Sequence, residues 1–386
     1  QDGLHVVQTA EDGSFILPGH KDTRFITLTV PDGFQASASH YLPFDGTGKK
    51  YDLGICKSPV RTGNGYSFVQ ITDTETSLYG DWIDNLKEYV KTNPTAFIIH
   101  TGDICYEAHQ DFHGRYLRSE DLGVPTYYCV GNHDLRAGRY GEELWQSHFG
   151  PSWYSFDVGN VHYVVTPMLG GDHAPSYRRA DIIRWLKNDL AQINRDKRVV
   201  LFNHDLWFWG DDLLFKDKNG EQIDFADYNL DAMIYGHWHN HYYKQLKSGL
   251  QTYCSSTPDK GGIDHGTSCF RIYHADTKGK LSSETRYTYI DGILTSAYPA
   301  EGEIVSVSDG KMTVRINAYR TVSYAKKVTA SVERNGKVMS SVTLLPETDW
   351  EWSGTVRVSD GKQRLLVTAE FEDGTRLTKR VDYTVT

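Results

Sequence analysis

The sequence predicts an α/β domain in the middle of the chain, with small all-β segments at both ends. Between residue 66 and about residue 290, short apolar runs alternate with segments that carry a helical period. Asp81–Val90 and Asp181–Asn194 each place their apolar side chains on one helical face, and strands that alternate with helices are typical of α/β folds. On either side of this stretch, apolar or alternating runs are separated by Asp-Gly, Asn-Gly and Pro-Gly pairs, which are turn signals of β structure.

The two terminal segments differ in length and in the number of predicted strands. The first sixty residues contain strand-like runs at Phe15–Leu17 and Arg24–Val30 and no helical period. Beyond Tyr298-Pro299, strand-like runs recur every dozen or so residues, a spacing that favours a β-sandwich. These runs are Glu303–Val307, Met312–Ala318, Val328–Glu333, Val342–Leu345, Gly354–Val358 and Gln363–Glu370. We therefore predict an N-terminal β module at 1–61, which could lack its first strand, an α/β domain at 62–296 and a C-terminal β-sandwich at 297–386.

Charge and composition exclude several classes of function. The 386 residues include 41 Lys and Arg against 50 Asp and Glu, a net charge of −9, and an acidic chain is a poor candidate for general nucleic-acid binding. No apolar run approaches the roughly 18 residues that a membrane span needs. Five scattered cysteines without a C-x-x-C pair indicate neither a disulfide framework nor a zinc knuckle.

Five apolar runs of the middle domain each end in side chains that can bind a metal ion. They lead into Asp73-Thr74-Glu75, Gly102-Asp103, Gly131-Asn132-His133-Asp134, Asn203-His204-Asp205 and Gly236-His237-Trp238-His239. Each motif alone is more often a solvated turn or a pair of surface residues. In open α/β sheets, however, ligand sites lie beyond the carboxyl ends of the strands, so five strand ends could deliver these groups to one crevice. Together and in this order, the motifs predict a metal centre.

This order of motifs resembles that of the calcineurin-like metallophosphoesterases. The family pattern is D-x-H, G-D-x-x, G-N-H-[DE], a later histidine and G-H-x-H, and four of these five blocks match over roughly residues 66–290. The flanking β segments resemble, more loosely, the accessory modules of bacterial relatives. The resemblance implies a four-layer α/β/β/α sandwich and a metal-dependent phosphoric ester hydrolase that cleaves a phosphate mono- or diester.

The same resemblance implies two metal ions, drawn from Mn, Fe, Zn and Mg, and assigns their ligands. Asp103 would bridge the ions, which two-metal phosphoryl chemistry holds about 3.5–4 Å apart. The implied ligands are Asp73, Glu75, Asp103 and His239 for metal one, and Asp103, Asn132, His204 and His237 for metal two. A hydroxide bridging the ions would attack phosphorus while the ions neutralise charge on the phosphoryl oxygens.

Two further residues of the G-N-H-D block are expected to act in catalysis. His133 follows the ligand Asn132 without being one, and we expect it to stabilise and protonate the leaving oxygen. We expect Asp134 to orient and charge the His133 imidazole.

Two residues depart from the common pattern or suggest a variant of it. Glu75 stands where the family usually has histidine, which leaves the identity of metal one open because carboxylates prefer harder ions. Tyr106 lies three residues after Asp103, where purple acid phosphatases carry a tyrosinate bound to iron, although packing in the loop is the simpler interpretation. The alternatives are therefore a purple-acid-phosphatase-like enzyme and a non-catalytic metal- or phosphate-binding surface protein.

Three other features have an open role. Trp207-Phe208-Trp209 could wall a substrate pocket or pack within its loop, and the Gly-rich loop Asp259–Gly262 could touch substrate or be a turn. Cys105 is expected to be a small buried hydrophobe and not a nucleophile.

The expected partner is a small phosphoester, and the β modules are expected to serve as scaffold or to contact a cell surface or glycan. The first residue is Gln and no signal peptide is visible, so we expect a mature or trimmed chain. Together with the tyrosine-rich β modules, this predicts a periplasmic or extracellular enzyme.

Overall fold

The computed structural model describes residues 1–386 and divides into two compact units. The first comprises residues 1–83 and 94–288, and the second comprises residues 84–93 and 289–386. The predicted boundary at Tyr298-Pro299 lies at the end of a strand of the second unit, Ile293–Tyr298. None of the helices is both long and apolar enough to cross a bilayer.

The helices and strands through residue 287 are as follows. The helices are α1 (Asp81–Thr92), α2 (Glu107–Tyr116), α3 (Ser119–Leu122), α4 (Glu143–Phe149) and α5 (Arg179–Leu190), with a 3₁₀ turn at Phe225–Tyr228. The strands are β1 (Phe25–Thr27), β2 (Phe34–Ala36), β3 (Tyr41–Pro43), β4 (Ile55–Lys57), β5 (Tyr66–Ile71), β6 (Ile98–His100), β7 (Thr126–Tyr128), β8 (Tyr154–Val158), β9 (Val161–Val165), β10 (Arg198–Phe202), β11 (Leu214–Lys216), β12 (Gln222–Asp224), β13 (Leu230–Tyr235), β14 (Tyr242–Gln245), β15 (Gln251–Cys254), β16 (Cys269–Ala275) and β17 (Leu281–Tyr287).

Two mixed sheets form the centre of the first unit. One has the strand order β17-β16-β5-β6-β7 and the other β14-β15-β13-β10-β9-β8. Strands β5, β6 and β7 are parallel, and so are β9, β10, β13 and β15. The small pairs β1–β3, β2–β4 and β11–β12 are antiparallel. The prediction of an α/β domain with additional all-β regions is confirmed.

An aromatic cluster joins the two sheets. Phe68 of β5 stacks on Phe97 and Tyr273, with ring centroids 4.5 and 4.8 Å apart. From the other sheet, Tyr163 and Phe202 belong to the same buried cluster, and their rings are stacked 5.5 Å apart. Burial of rings of this size contributes strongly to stability because each removes roughly 150–250 Å² from water.

Helices pack against strands of both sheets through their apolar faces. The buried face of α5 packs with β10 and β13 residues, including Trp185 against the cluster that contains Met233. Trp145 and Phe149 of α4 pack against Tyr128 of β7. The helical periods predicted at Asp81–Val90 and Asp181–Asn194 are confirmed within a few residues at each end.

The second unit contains a pair of β-sheets with a shared core. Its strands are β18 (Ile293–Tyr298), β19 (Ile304–Val305), β20 (Lys311–Tyr319), β21 (Ala325–Arg334), β22 (Lys337–Thr343), β23 (Leu345–Pro346), β24 (Glu351–Arg357), β25 (Gly361–Phe371) and β26 (Arg376–Val385). The sheet orders are β18-β20-β24-β23 and β19-β26-β25-β21-β22. Ile316 and Trp352 of the first sheet belong to one buried cluster with Ala330 and Val367 of the second.

Several strand predictions differ from the structure, and two of them have a clear physical reason. Phe15–Leu17 forms no strand, because a three-residue apolar run gives no sheet without a partner strand. Strand β26 was not predicted, since its long polar side chains hide the alternation of Val381, Tyr383 and Val385, all of which are buried.

Candidate metal centre

The five motif-bearing loops follow strands whose carboxyl ends point the same way within each sheet. Strands β5, β6 and β7 lead to Asp73, Asp103 and Asn132, and strands β10 and β13 lead to His204 and His237. A backbone bond from Asp73 N–H to Gly102 O, 3.0 Å long, joins two of these loops. Loops from the two sheets are joined where the His237 amide donates to the Asp73 carboxylate, at 3.0 Å.

The backbone of this region adopts rare left-handed conformations. Of the ten non-glycine residues with positive φ, six lie here: Asp73, Glu75, Asp103, Cys105, His237 and His239. Such conformations persist where the surrounding structure enforces them, and they cluster at functional sites.

Gly131 and Gly236 lie so close to neighbouring carboxylates that a larger residue would not fit at either position. A Cβ on Gly131 would lie 2.2 Å from Asp103 Oδ1, and one on Gly236 would lie 2.5 Å from Asp73 Oδ2. These distances are well inside van der Waals contact, so the glycines let the loops close around the carboxylates.

Asp103, His204 and His237 form one cluster of potential ligand atoms, all within 4.8 Å of one another. His204 Nδ1 donates to Thr101 O over 2.7 Å, which leaves Nε2 facing Asp103 Oδ2 at 3.0 Å. That Nε2 atom is buried and makes no hydrogen bond of acceptable geometry, and the buried Oδ1 of Asn132 has no partner either. Two orphaned donor atoms beside a carboxylate fit a metal ion, since buried polar atoms are otherwise almost always paired.

Asp73, Glu75 and His239 form a second group beside the first. His239 Nε2 lies 3.2 Å from Asp73 Oδ1 and 3.6 Å from Glu75 Oε1. The Glu75 carboxylate also lies within 4.8 Å of ligand atoms of Asp103 and Cys105. Glu75 therefore points into the cluster, and its other oxygen accepts a hydrogen bond from Lys260 Nζ at 2.6 Å.

The carboxylates of this centre attract positive charge. Burial opposes ionisation of Asp103, but the positive charge of His204 beside it lowers the Asp103 pKa to about 2. Burial likewise lowers the pKa of His204, but Asp103 and Asp73 outweigh it and raise that pKa to about 10. Carboxylates that favour the charged form of a buried imidazole would stabilise a bound cation in the same way.

The His133 imidazole is held by Asp172. His133 Nδ1 lies 3.0 Å from Asp172 Oδ1, and Asp172 also binds Arg136 at 3.2 Å. Burial lowers the pKa of His133, but the hydrogen bond to Asp172 and the charge of Asp103 outweigh it and raise that pKa above its ordinary value.

The expectation that Asp134 orients His133 is wrong. The fully buried Asp134 carboxylate accepts hydrogen bonds from the backbone amides of Asp103, Cys105 and Gly131 at 2.7–2.9 Å. Burial and the Asp103 charge raise the Asp134 pKa to about 7, against the effect of these amides. Adjacent side chains in this turn point in different directions, so Asp134 shapes the two ligand loops instead.

Asp172 was missed because its contact with His133 spans 39 positions of the chain. A weak signal existed: Gly170-Gly171-Asp172 follows the buried strand β9, which is parallel to β10. A Cβ on Gly171 would lie 2.1 Å from Asn132 O, so this glycine lets the Asp172 loop approach the G-N-H-D turn.

The structure shows the surroundings of the residues whose roles the sequence left open. The half-exposed Tyr106 ring lies under the Arg136 guanidinium, 5.0 Å from its centroid, and edge-on to His109. Cys105 is buried as expected, and burial together with nearby carboxylates raises the pKa of its thiol. Trp207 stacks on Phe215 at 3.8 Å, and Lys260 pairs with Glu75.

Comparison of the chain with a family model and with solved structures shows which proteins it is similar to. Residues 66–241 match the family model of the calcineurin-like phosphoesterase. A dimetal phosphatase from Danio rerio is 11% identical, with a TM-score of 0.39, over 57% of this chain and 99% of its own. An archaeal phosphodiesterase is 14% identical, with a TM-score of 0.29, over 57% of this chain and 99% of its own. No curated protein is significantly similar in sequence. The match of residues 66–241 to this family model agrees with the order of the five motifs along the chain.

Proposed function

We propose that this protein hydrolyses a phosphate mono- or diester with the help of two bound metal ions. The observation that carries the proposal is the cluster of Asp103, His204 and His237 with the orphaned Asn132 oxygen. The match to the family model supports metal-dependent phosphoester hydrolysis. We further propose that the two sheets and the helices outside them form the four-layer α/β/β/α sandwich of that family.

The donor atoms suit two ions of unequal character. Asp73, Glu75, Asp103 and His239 would hold the first, and Asp103, Asn132, His204 and His237 the second. Three carboxylates favour a hard ion such as manganese, magnesium or iron at the first site, whereas two imidazoles favour zinc or iron at the second. When bound, such ions supply an activated water and neutralise charge on the phosphoryl oxygens.

The protein's own residues position and protonate the substrate. With Nδ1 engaged by Asp172, the Nε2 of His133 is free to donate a proton to the leaving oxygen. Asp134 fixes the backbone of the Asp103 and Gly131 loops, so that the ligand side chains remain in register. We also propose that the enzyme acts outside the cytoplasm, which detection of the full-length product in a secreted or periplasmic fraction would test.

Metal content and turnover test the proposal together. Purified protein should contain about two metal ions and hydrolyse p-nitrophenyl phosphate or bis(p-nitrophenyl) phosphate with added manganese. His204→Ala should lose metal and activity. His274→Gln is the matched control, because His274 pairs with Ser67 at the opposite end of β5.

One result would contradict the proposal, and another would change the assignment of its metal ligands. Metal bound without turnover of either ester would favour the non-catalytic binding protein. Colour in an iron-loaded sample that Tyr106→Phe removes would favour the purple-acid-phosphatase-like alternative.

A further inference from the structure

An exposed row of aromatic rings begins inside the metal-binding motif itself. Trp238 stands between His237 and His239, so its Cα lies about 3.8 Å from that of each neighbour. The Trp238 ring stacks with Trp209, with centroids 5.2 Å apart and planes 30° apart. The Tyr242 ring also contacts Trp238, with centroids 5.5 Å apart. We call Trp209, Trp238 and Tyr242 the aromatic platform.

The platform is held rigidly at its centre and open at its ends. The Trp238 indole N–H donates to Asp205 Oδ1 at 3.1 Å, and its ring packs edge-on against the buried Tyr235 at 5.0 Å. By contrast, Trp209 is 67% exposed and Tyr242 is 40% exposed. A fixed ring flanked by exposed ones offers apolar area that a ligand could cover without the platform rearranging.

Packing within the surrounding loop does not explain the exposed position of the Trp209 side chain. Its neighbours Trp207 and Phe208 are used in the fold: Trp207 stacks on Phe215, and Phe208 is only 3% exposed within the core cluster around α5. Trp209 contacts one aromatic ring, that of Trp238. The third residue of the Trp207-Phe208-Trp209 run is thus the one left facing solvent, with its ring on Trp238.

We propose that this platform binds the organic group of the substrate, and that this group carries a planar aromatic ring. The inference rests on the proposed phosphoesterase function. It also uses the contact of the Trp238 indole with Asp205, because Asp205 directly follows the proposed ligand His204 and the platform therefore adjoins a loop that would hold a metal ion. A planar ring can stack face to face on an indole in an offset arrangement, which adds to simple burial of apolar area. A saturated group of the same size gains the burial alone. Aryl esters and nucleoside esters share this chemistry.

Binding of phosphonates, which are not hydrolysed, tests the platform apart from catalysis. Calorimetry on the manganese-loaded protein should show phenylphosphonate binding about three- to tenfold more tightly than cyclohexylphosphonate. Trp209→Ala and Tyr242→Ala should each reduce this ratio, and Trp209→Leu should not restore it. Inorganic phosphate should bind all of these variants equally.

Tyr243→Ala is the matched control. Tyr243 adjoins Tyr242 in β14, and successive side chains of a strand point to opposite faces; its ring contacts Tyr253 at 4.9 Å. It is also well exposed, at 51%. This variant should keep the full preference for phenylphosphonate.

The outcomes separate the platform from the proposed function. If the wild-type protein binds the two phosphonates equally and still hydrolyses esters, the proposed role of the platform is wrong and the proposed phosphoesterase function stands. If neither phosphate nor any phosphonate binds, both are overturned. A non-hydrolysable adenosine 5′-phosphonate separates the two sources: Trp209-dependent binding tighter than that of phenylphosphonate supports a nucleoside ester, and weaker Trp209-dependent binding supports a simple aryl ester.

Discussion

Lys260 should compete with the first metal ion for Glu75, so Lys260→Met should tighten metal binding there. The Lys260 ammonium lies 2.6 Å from Glu75 Oε2. A metal ion at Asp73, Glu75 and His239 would need that same carboxylate and would be repelled by the ammonium. Methionine keeps the length of the side chain and removes its charge.

The magnitude follows from the distance and the exposure of the pair. Coulomb's law at this separation gives roughly 1.6–6 kcal/mol for effective dielectric constants between about 80 and 20. The Lys260 side chain is 40% exposed, and exposed pairs contribute only about 0–1 kcal/mol in practice. We therefore expect a gain of about 1 kcal/mol, or about fivefold in the dissociation constant of the first site.

Manganese titration, followed calorimetrically or by electron paramagnetic resonance, measures both sites. The first should tighten in Lys260→Met, and the second should not change. Lys218→Met removes the same charge from an exposed position in the β11–β12 hairpin and should leave both sites unaltered. Unchanged affinity in Lys260→Met would refute the competition. Weaker binding would show instead that Lys260 holds Glu75 in its ligating position.

Three other outcomes are expected. His133→Ala should lower turnover about 10²–10⁴-fold with metal content retained, less so for esters with very acidic leaving groups; loss of metal would make His133 a ligand. Glu75→His should shift the first site toward zinc, as metal competition would show. Burial lowers the pKa of His162, but Asp189 and Asp157 outweigh it and raise that pKa to about 9. Because the folded-state value exceeds the unfolded value, this stabilisation is complete below about pH 6.5 and is lost as pH rises through about 9, by about 3 kcal/mol. Denaturant unfolding at both ends of that range should show the loss in the wild-type protein and not in His162→Gln.

The positions of the proposed metal ligands could be predicted because they depend on local order in the sequence. Asp103, His204 and His237 each lie two or three residues after the end of a buried strand, and parallel strands bring their carboxyl ends to one edge. Glu75 also lies where the motif order placed it, against His239.

The partners of these residues could not be predicted, since they come from distant segments. Asp172 reaches His133 across 39 positions, and Lys260 reaches Glu75 across 185. Asp134 was assigned the wrong partner because adjacency in sequence does not set side-chain direction in a turn. In the terminal segments, a three-residue run such as Phe15–Leu17 carried too little pattern to decide between strand and loop.

The left-handed backbone of the candidate metal centre limits how far the thermal stability of this domain can be raised without loss of activity. Each such residue carries about 1–3 kcal/mol of conformational strain, and glycine would relieve it. Glu75 and Cys105, at φ of 41° and 74°, are residue types that seldom adopt this conformation. Directed evolution for heat resistance alone should therefore enrich glycine at these positions and remove the Glu75 carboxylate, a proposed ligand. Selection that also demands turnover should leave the loops unchanged and place its gains in the sheets and helices that support them.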